Sequence, residues 1–244
     1  MENKLKLSKN DKSPPVDATK YRSIIGSLRY LVNTRPDIAY SVGIVSRYME
    51  APKTSHWAAV KQILKYLAGT IRYGCRYMRS STSESKLLGF SDSDLAGDID
   101  DRKSTGGSVF FLGMNLVTWV SQKQRVVAPS SCEAEYIASA NAACQGIWPS
   151  RLLGELLGIQ APKVSLLVDN KSAIALSKNP VHHDRSKHID TRYHFVRDCV
   201  ENGSIDIDHV STQNQLADIL TKALAKVRFI ELRQQLGVID VQRD

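Results

Sequence analysis

The hydrophobic period of this 244-residue chain changes at one place, a serine-rich joint at Ser80, Ser81, Ser83 and Ser85. Before the joint apolar residues recur at helical spacing; after it they recur at strand spacing, so a single uniform architecture is excluded. Upstream, Tyr21–Val32 places Ile24, Ile25, Leu28 and Leu31 on one helical face. Pro36 suits the first turn of a second helix carrying Ile38, Val42, Val45 and Met49. Thr54 or Ser55 is suited to cap a third, whose stripe is Trp57, Val60, Ile63, Leu64 and Leu67 before Gly69 stops it. A small helical module is therefore expected over residues 19–80. The polar stretch before it, residues 1–18 with a Pro14-Pro15 pair, is expected to be a disordered tail.

Downstream, Lys86–Ser91 reads as a strand, and Ser108–Leu112 with Leu116–Ser121 as a hairpin turning at Gly113, Met114 and Asn115. A helix is expected from Ser131, interrupted near Pro149, with a second piece to Leu157. Val164–Val168 is short and wholly suited to a central strand. Helices follow at Lys171–Ser177 and from about Lys187 to Glu201, then a strand at Ser204–Val210. Helices at Asn214–Ala223 and Val227–Leu236 complete the chain. The order β-β-β-α-β-α-α-β-α predicts an α/β domain over 86–225, a mixed five-stranded sheet with flanking helices. Residues 226–244 are left as a C-terminal helix and tail.

Composition narrows the classes further. With 42% apolar and 24% charged residues the chain is of globular type. Its four cysteines show no CxxC spacing, which argues against a disulfide scaffold or zinc finger. His182, His183, His188 and His194 lack companion ligands at zinc-site spacing. The longest uncharged stretch, Ser104–Gln122, is broken by Gly106, Gly107, Gly113 and Asn115, so no membrane partner is expected. The net charge of +8 is unevenly spread: residues 1–80 hold 15 Lys/Arg against 5 Asp/Glu, and the remainder 18 against 20. A basic first third suggests a polyanion partner there.

Acids stand at telling places in the second part. Asp92 and Asp169 each follow a strand, where sites in α/β sheets collect. Ser130 and Glu133 fit a capping box, leaving Glu135 free to face elsewhere, roughly 200° around the helix. Asp218 lies early in the helix after the last strand. Four such acids repel at neutral pH, and hard divalent ions are the usual remedy. Two Mg²⁺ about 4 Å apart, with Mn²⁺ as an alternative, would suit phosphodiester hydrolysis.

The order of elements and acids resembles the ribonuclease H fold. Local strings resemble the carboxy-terminal part of copia-type LTR retrotransposon Pol polyproteins: residues 21–31 and 101–106, Thr34-Arg35-Pro36-Asp37-Ile38-Ala39, Phe90-Ser91-Asp92-Ser93-Asp94-Leu95-Ala96-Gly97, Ser131-Cys132-Glu133-Ala134-Glu135-Tyr136, Val168-Asp169-Asn170-Lys171-Ser172-Ala173, Lys187-His188-Ile189-Asp190 and Leu216-Ala217-Asp218-Ile219-Leu220-Thr221-Lys222. The resemblance implies a reverse-transcriptase thumb or connection module at 19–80 and a ribonuclease H domain at 86–225. It places the metal-binding catalytic acids on Asp92, Glu135, Asp169 and Asp218, with Asp94 as rival for the first. It implies cleavage of the RNA strand of RNA–DNA hybrids, with the polymerase palm and fingers of a complete Pol polyprotein as partner. Arg102, Lys103, Lys123, Arg125, Lys187, His188 and Arg192 are the expected nucleic-acid contacts, against solvated charge as the bland alternative.

Two departures favour the alternative of a decayed remnant that only binds nucleic acid. Cellular ribonucleases H carry a loop His before the last acid, whereas Val210–Asn214 has none and His209 falls within the expected strand. Pro149 reads as a drifted position. A different nuclease or transposase on the same fold is disfavoured, because Glu135 lies on the first helix of the domain. No targeting signal is visible, and a retroelement product starts in the cytoplasm, with the nucleus as a second destination.

Overall fold

The structure, a computed structural model, describes residues 6–79, 86–178 and 194–241. The helical part comprises α1 (Ala18–Leu31), α2 (Ala39–Val45) and α3 (Thr54–Gly69), with 3₁₀ turns at Pro36–Ile38 and Ser46–Tyr48 flanking α2. Asp17 caps α1 by accepting from the N–H groups of Thr19 and Lys20, at 2.9 and 3.1 Å. Tyr21, Ile25, Leu28, Val42, Val45, Val60 and Ile63 then close a core of their own. Tyr21 can be buried there because its hydroxyl donates to the Val45 carbonyl at 2.8 Å.

The expected cap of α3 is corrected. Thr54 is already helical and donates its hydroxyl to Pro14 O, while the Nδ1 of buried His56 accepts from the Lys53 N–H at 2.9 Å. His56 Nε2 lies 3.0 Å from Ser8 O, and the pair of contacts assigns the proton to Nε2. The disordered tail is also corrected for residues 6–18. Leu7 is buried in the helical core, its carbonyl accepts from Tyr48, and Ser8 donates to Asp100. Polar composition concealed this, because ordering here comes from backbone and hydroxyl hydrogen bonds rather than apolar periodicity.

Burial holds the His56 pKa below its ordinary 6.5, since the charged form would lose the Lys53 bond and its solvation. The unfolded chain therefore takes up the proton first as pH falls. The stability from this neutral His is complete above about pH 6.5 and is lost as pH falls below it. Thermal midpoints of the wild type are expected to fall between pH 7 and 5.5, and His56→Gln to flatten that part of the profile.

After β1 (Tyr73–Cys75) comes the main sheet: β2 (Leu87–Ser93), β3 (Thr105–Leu112), β4 (Asn115–Lys123), β5 (Val164–Val168) and β6 (Ile205–His209), in the order β4-β3-β2-β5-β6. The first three are antiparallel neighbours, whereas β2–β5 and β5–β6 are parallel. This is the mixed five-stranded, ribonuclease H-like α/β sheet expected from the sequence. Period-two alternation gives it two apolar faces. Leu87, Phe110, Val164, Leu166 and Val168 meet α4 (Ser131–Leu157), α5 (Lys171–Lys178) and α6 (Phe195–Glu201). Phe90, Val109, Phe111 and Leu116 meet the opposite layer, made by Ile219, Leu220 and α7 (Lys226–Gln235).

Helix α4 runs uninterrupted through Pro149, contrary to the expected break. The carbonyl that loses its N–H partner there is that of Gln145, an exposed residue, so water can serve it. The same helix buries Ala142, Ala143, Gly146, Ile147 and Ser150 on its other face. The helix expected at Asn214–Ala223 is instead a pair of 3₁₀ turns, Thr212–Asn214 and Leu216–Leu220. Ala217, Asp218, Ile219 and Leu220 are all buried, which a one-sided helix cannot arrange for four successive residues. The expected helix from Lys187 lies outside the described residues up to 193.

The two parts pack directly together. Trp119 of β4 donates its indole N–H to the Val32 carbonyl at 3.0 Å, and Arg47 pairs with Asp98 at 3.1 Å. The C-terminal β7 (Val238–Asp240) pairs antiparallel with β1, tying the end of the chain to the residues that follow α3.

Candidate active site

Backbone register brings the acids together. Asp92 sits near the end of β2, opposite Gly107 of β3, and Ser91 pairs with Val168 of the parallel neighbour β5. Asp169 therefore emerges beside Asp92. Ser130 caps α4 by accepting from the Glu133 N–H at 3.2 Å, as the capping box predicts. That start places Glu135 over the strand ends, where Oε1 accepts from the Ser93 N–H at 3.1 Å. Carboxylate oxygens of Asp92, Glu135 and Asp169 lie within 4.8 Å of one another.

Asp218, on its 3₁₀ turn, lies beside this set rather than within it, and Lys222 bridges it to Asp92. Gln215 anchors the turn, donating from Nε2 to Ser91 O and accepting the Ala217 N–H at Oε1. Gly107 gives it room: a Cβ there would stand 2.8 Å from both Leu220 Cβ and Thr221 Cγ2. Gly107→Val is expected to cost about 1–3 kcal/mol by overpacking. It should also weaken divalent-metal binding by displacing Thr221, whose hydroxyl holds the ligand Asp92, seen as a smaller Mg²⁺-induced rise in thermal midpoint than in the wild type.

Cations and donors already face these acids. Thr221 donates its hydroxyl to Asp92 Oδ2, and Lys222 Nζ lies 3.1 Å from Asp92 Oδ1 and 2.8 Å from Asp218 Oδ1. Burial works against the Lys222 ammonium, but Asp92 and Asp218 outweigh it and hold the pKa above the ordinary lysine value. Burial, then the charges of Asp92 and Asp169, push the Glu135 carboxyl far up. Asp169 and Asp218 move up for the same two reasons, burial and the charge of Asp92.

Glu135 Oε2 is buried with no hydrogen-bond partner. A buried carboxylate oxygen so placed, beside two more carboxylates, is costly unless a cation meets it. The all-oxygen donor set fits a hard divalent ion, which Asp92, Glu135 and Asp169 would hold.

The rival Asp94 stands apart from this cluster. It accepts from the Thr105 N–H and folds against Gly97, where a Cβ would overlap its carboxylate. Burial raises its pKa to about 6, but its contacts are those of a loop closure. Among the expected nucleic-acid contacts, Arg102 and Arg125 are exposed and Lys103 half-buried. Lys123 is engaged by Asp98 at 2.6 Å and Asp101 at 2.8 Å. Lys187, His188 and Arg192 lie outside the described residues, as do His182 and His183 of the dismissed zinc set. His194 Nδ1 lies 2.9 Å from the Tyr136 hydroxyl.

Sequence reading missed Lys222, Thr221 and Gln215. Lys222 had a usable signal, since it lies four residues after Asp218, although the turn that joins them is not a regular helix. Gln215 had none.

This is a ribonuclease H-like domain with an acidic, metal-suited centre, joined to a small helical unit. No family model matches the chain. It is 45% identical over 239 residues, 98% of its length, to the retrovirus-related Pol polyprotein from transposon RE2 of Arabidopsis thaliana. The corresponding RE1 polyprotein of the same plant is 44% identical over 97% of the chain, and that of transposon TNT 1-94 of Nicotiana tabacum 43% over 89%. The chain belongs with these transposon Pol polyproteins and spans about 16% of each one's length.

Among solved structures, the N-terminal RNase H domain of a Mycobacterium tuberculosis protein shares 16% identity at a TM-score of 0.39, covering 62% of this chain and 98% of that one. A foamy viral protease–reverse transcriptase in complex with dsDNA shares 20% at a TM-score of 0.39, covering 57% and 92%. Among the described residues no helix is long and apolar enough to cross a membrane.

Proposed function

We propose that this segment of a transposon Pol polyprotein is a divalent-metal-dependent endonuclease that cleaves the RNA strand of RNA–DNA hybrids. The observation that carries the reading is the convergence of Asp92, Glu135 and Asp169, with one Glu135 oxygen buried and unpartnered. Bound Mg²⁺, or Mn²⁺ in its place, supplies water activation and stabilisation of the leaving oxygen. The chain's own residues do the rest. Asp92, held by Thr221 and Lys222, is fixed between the other acids. Ser93 orients Glu135 through its backbone N–H, and Thr212 donates to Asp169 at 3.2 Å. Water oxygen attacks phosphorus, the P–O3′ bond breaks, and a proton passes to O3′, leaving 3′-hydroxyl and 5′-phosphate ends.

Arg102, Lys103 and Arg125 are the described candidates for phosphate contacts, which position a duplex without reading its sequence. Lys123 is the weakest of the set, because Asp98 and Asp101 already neutralise it. Lys187, His188 and Arg192 remain part of the proposed interface, as does the basic residue 1–80 region. The palm and fingers of a complete polyprotein are the proposed protein partner.

The competing reading, a binding-only remnant, draws on the absence of a His between Val210 and Asn214. A substrate panel separates the two. End-labelled RNA–DNA hybrid, duplex RNA and duplex DNA are incubated with the chain and Mg²⁺. Cleavage confined to RNA paired with DNA is expected, since the 2′-hydroxyl tells the strands apart. Binding to the hybrid with no cleavage of any substrate would leave the remnant.

A further inference from the structure

We propose that the Lys222 ammonium occupies one of the two cation positions of this centre. Without nucleic acid, the chain then takes one divalent ion, between Asp92, Glu135 and Asp169. A second ion enters only when Lys222 withdraws from between Asp92 and Asp218. The inference rests on the metal-dependent reading above.

The two sides of the centre are unlike. On one side three carboxylates converge, and Glu135 Oε2 has no partner among protein atoms. On the other, Asp218 is outside that converging set, and Lys222 bridges it to Asp92 at 2.8 and 3.1 Å. The remaining Asp92 oxygen is occupied by the Thr221 hydroxyl. Asp92 is thus the shared group, within reach of Glu135 and Asp169 and in contact with a built-in monovalent cation. A divalent ion placed beside the ammonium would be repelled at contact distance, so the two exclude one another.

Lys222 also has somewhere to go. Its side chain is about one-third exposed, on a flexible four-carbon stem. It borders a cavity of about 480 Å³ shared with Asp37 and Tyr66 and a smaller one shared with Tyr40 and Asp94. Asp37 and Asp94 each offer a carboxylate beside those cavities. Asp37 is already paired with Arg35, which leaves Asp94 the better landing place. Withdrawal of Lys222 would so give Asp94 a role distinct from ligation of the metal.

The test is a Mn²⁺ titration of the full chain, followed by the electron paramagnetic resonance signal of free Mn²⁺. Wild type is expected to hold one ion tightly. Lys222→Met is expected to hold two, or to tighten the second site by about tenfold or more. Lys222→Arg, which keeps the charge, should behave as wild type. Two equally tight ions in wild type, or Lys222→Met indistinguishable from it, overturns the proposal while the metal-dependent reading stands. No ion bound by any of the three overturns both.

A measurement on the wild type guards against a misfolded variant. Acetylation of Lys222, read by mass spectrometry, should rise several-fold as Mn²⁺ is raised past the first site. Labelling unchanged by Mn²⁺ contradicts the displacement.

Discussion

Glu135→Gln is expected to make the metal-free protein more stable and the nuclease inactive. Glu135 is about 5% exposed, and its charge is opposed by burial and by Asp92 and Asp169. Its folded-state pKa lies above the ordinary 4.5, so whatever it adds to stability is present below pH 4.5 and lost as pH rises. At neutral pH in EDTA the folded chain must take up a proton to keep this carboxyl neutral, which the unfolded chain does not, and an amide of the same shape removes that cost. A gain of about 1–2 kcal/mol is expected, or ~2–8 °C in thermal midpoint. In Mg²⁺ the order should reverse, because only wild type retains the full ligand set. Hydrolysis should drop by more than about 100-fold, since even residues that merely support a metal ligand cost 10–100-fold. Calorimetry in EDTA and in Mg²⁺ measures both stabilities. A variant less stable than wild type in EDTA would contradict this account of Glu135.

Asp37→Ala is expected to be the most damaging single change at the junction of the two parts. Asp37 accepts from Arg35 Nε and Nη2 at 2.9 and 2.8 Å and from the Tyr66 hydroxyl at 2.6 Å. Arg35 also donates to the carbonyl and hydroxyl of Thr70, and Arg233 of α7 donates to Tyr66 at 3.2 Å. The Arg35 and Asp37 side chains are both more than nine-tenths buried. Removing the acid strands a buried guanidinium, at a cost of about 3–5 kcal/mol, or roughly 6–20 °C for a chain of this size. Replacing both partners, as in Arg35→Met with Asp37→Leu, should cost far less, because no charge is left unpaired. Thermal unfolding of the single and double variants decides between them. Equal losses would mean that the ion pair itself, not the abandoned charge, carries the stability.

Much of the fold was legible because its signals are local. Val164–Val168 is a short, largely apolar run, and the hairpin is two apolar-rich runs parted by Gly113, Met114 and Asn115, so both were placed within a few residues. The acids could be named because each follows a strand or opens a turn. What escaped depends on contacts distant in sequence. Three-residue β1 gives no periodicity of its own and exists through pairing with β7, more than 160 residues later. Leu7 and Ser8 are ordered by Tyr48, His56 and Asp100. The four buried residues of the Asp218 turn follow from the room left by Gly107 and from the bond of the neighbouring Gln215 to Ser91, 124 residues earlier. Pro149 misled because its penalty depends on whether the Gln145 carbonyl faces water, which the helical pattern alone did not resolve.

The proposed role of the converging acids, metal-dependent cutting of RNA in hybrids, is open to direct assay. The most direct measurement incubates labelled RNA–DNA hybrid with wild type and with Asp169→Asn, each in Mg²⁺ and in EDTA. Wild type is expected to shorten the RNA in Mg²⁺ and leave it intact in EDTA, with Asp169→Asn slower by more than about 100-fold. Equal and negligible product from wild type and variant in Mg²⁺ would contradict that role.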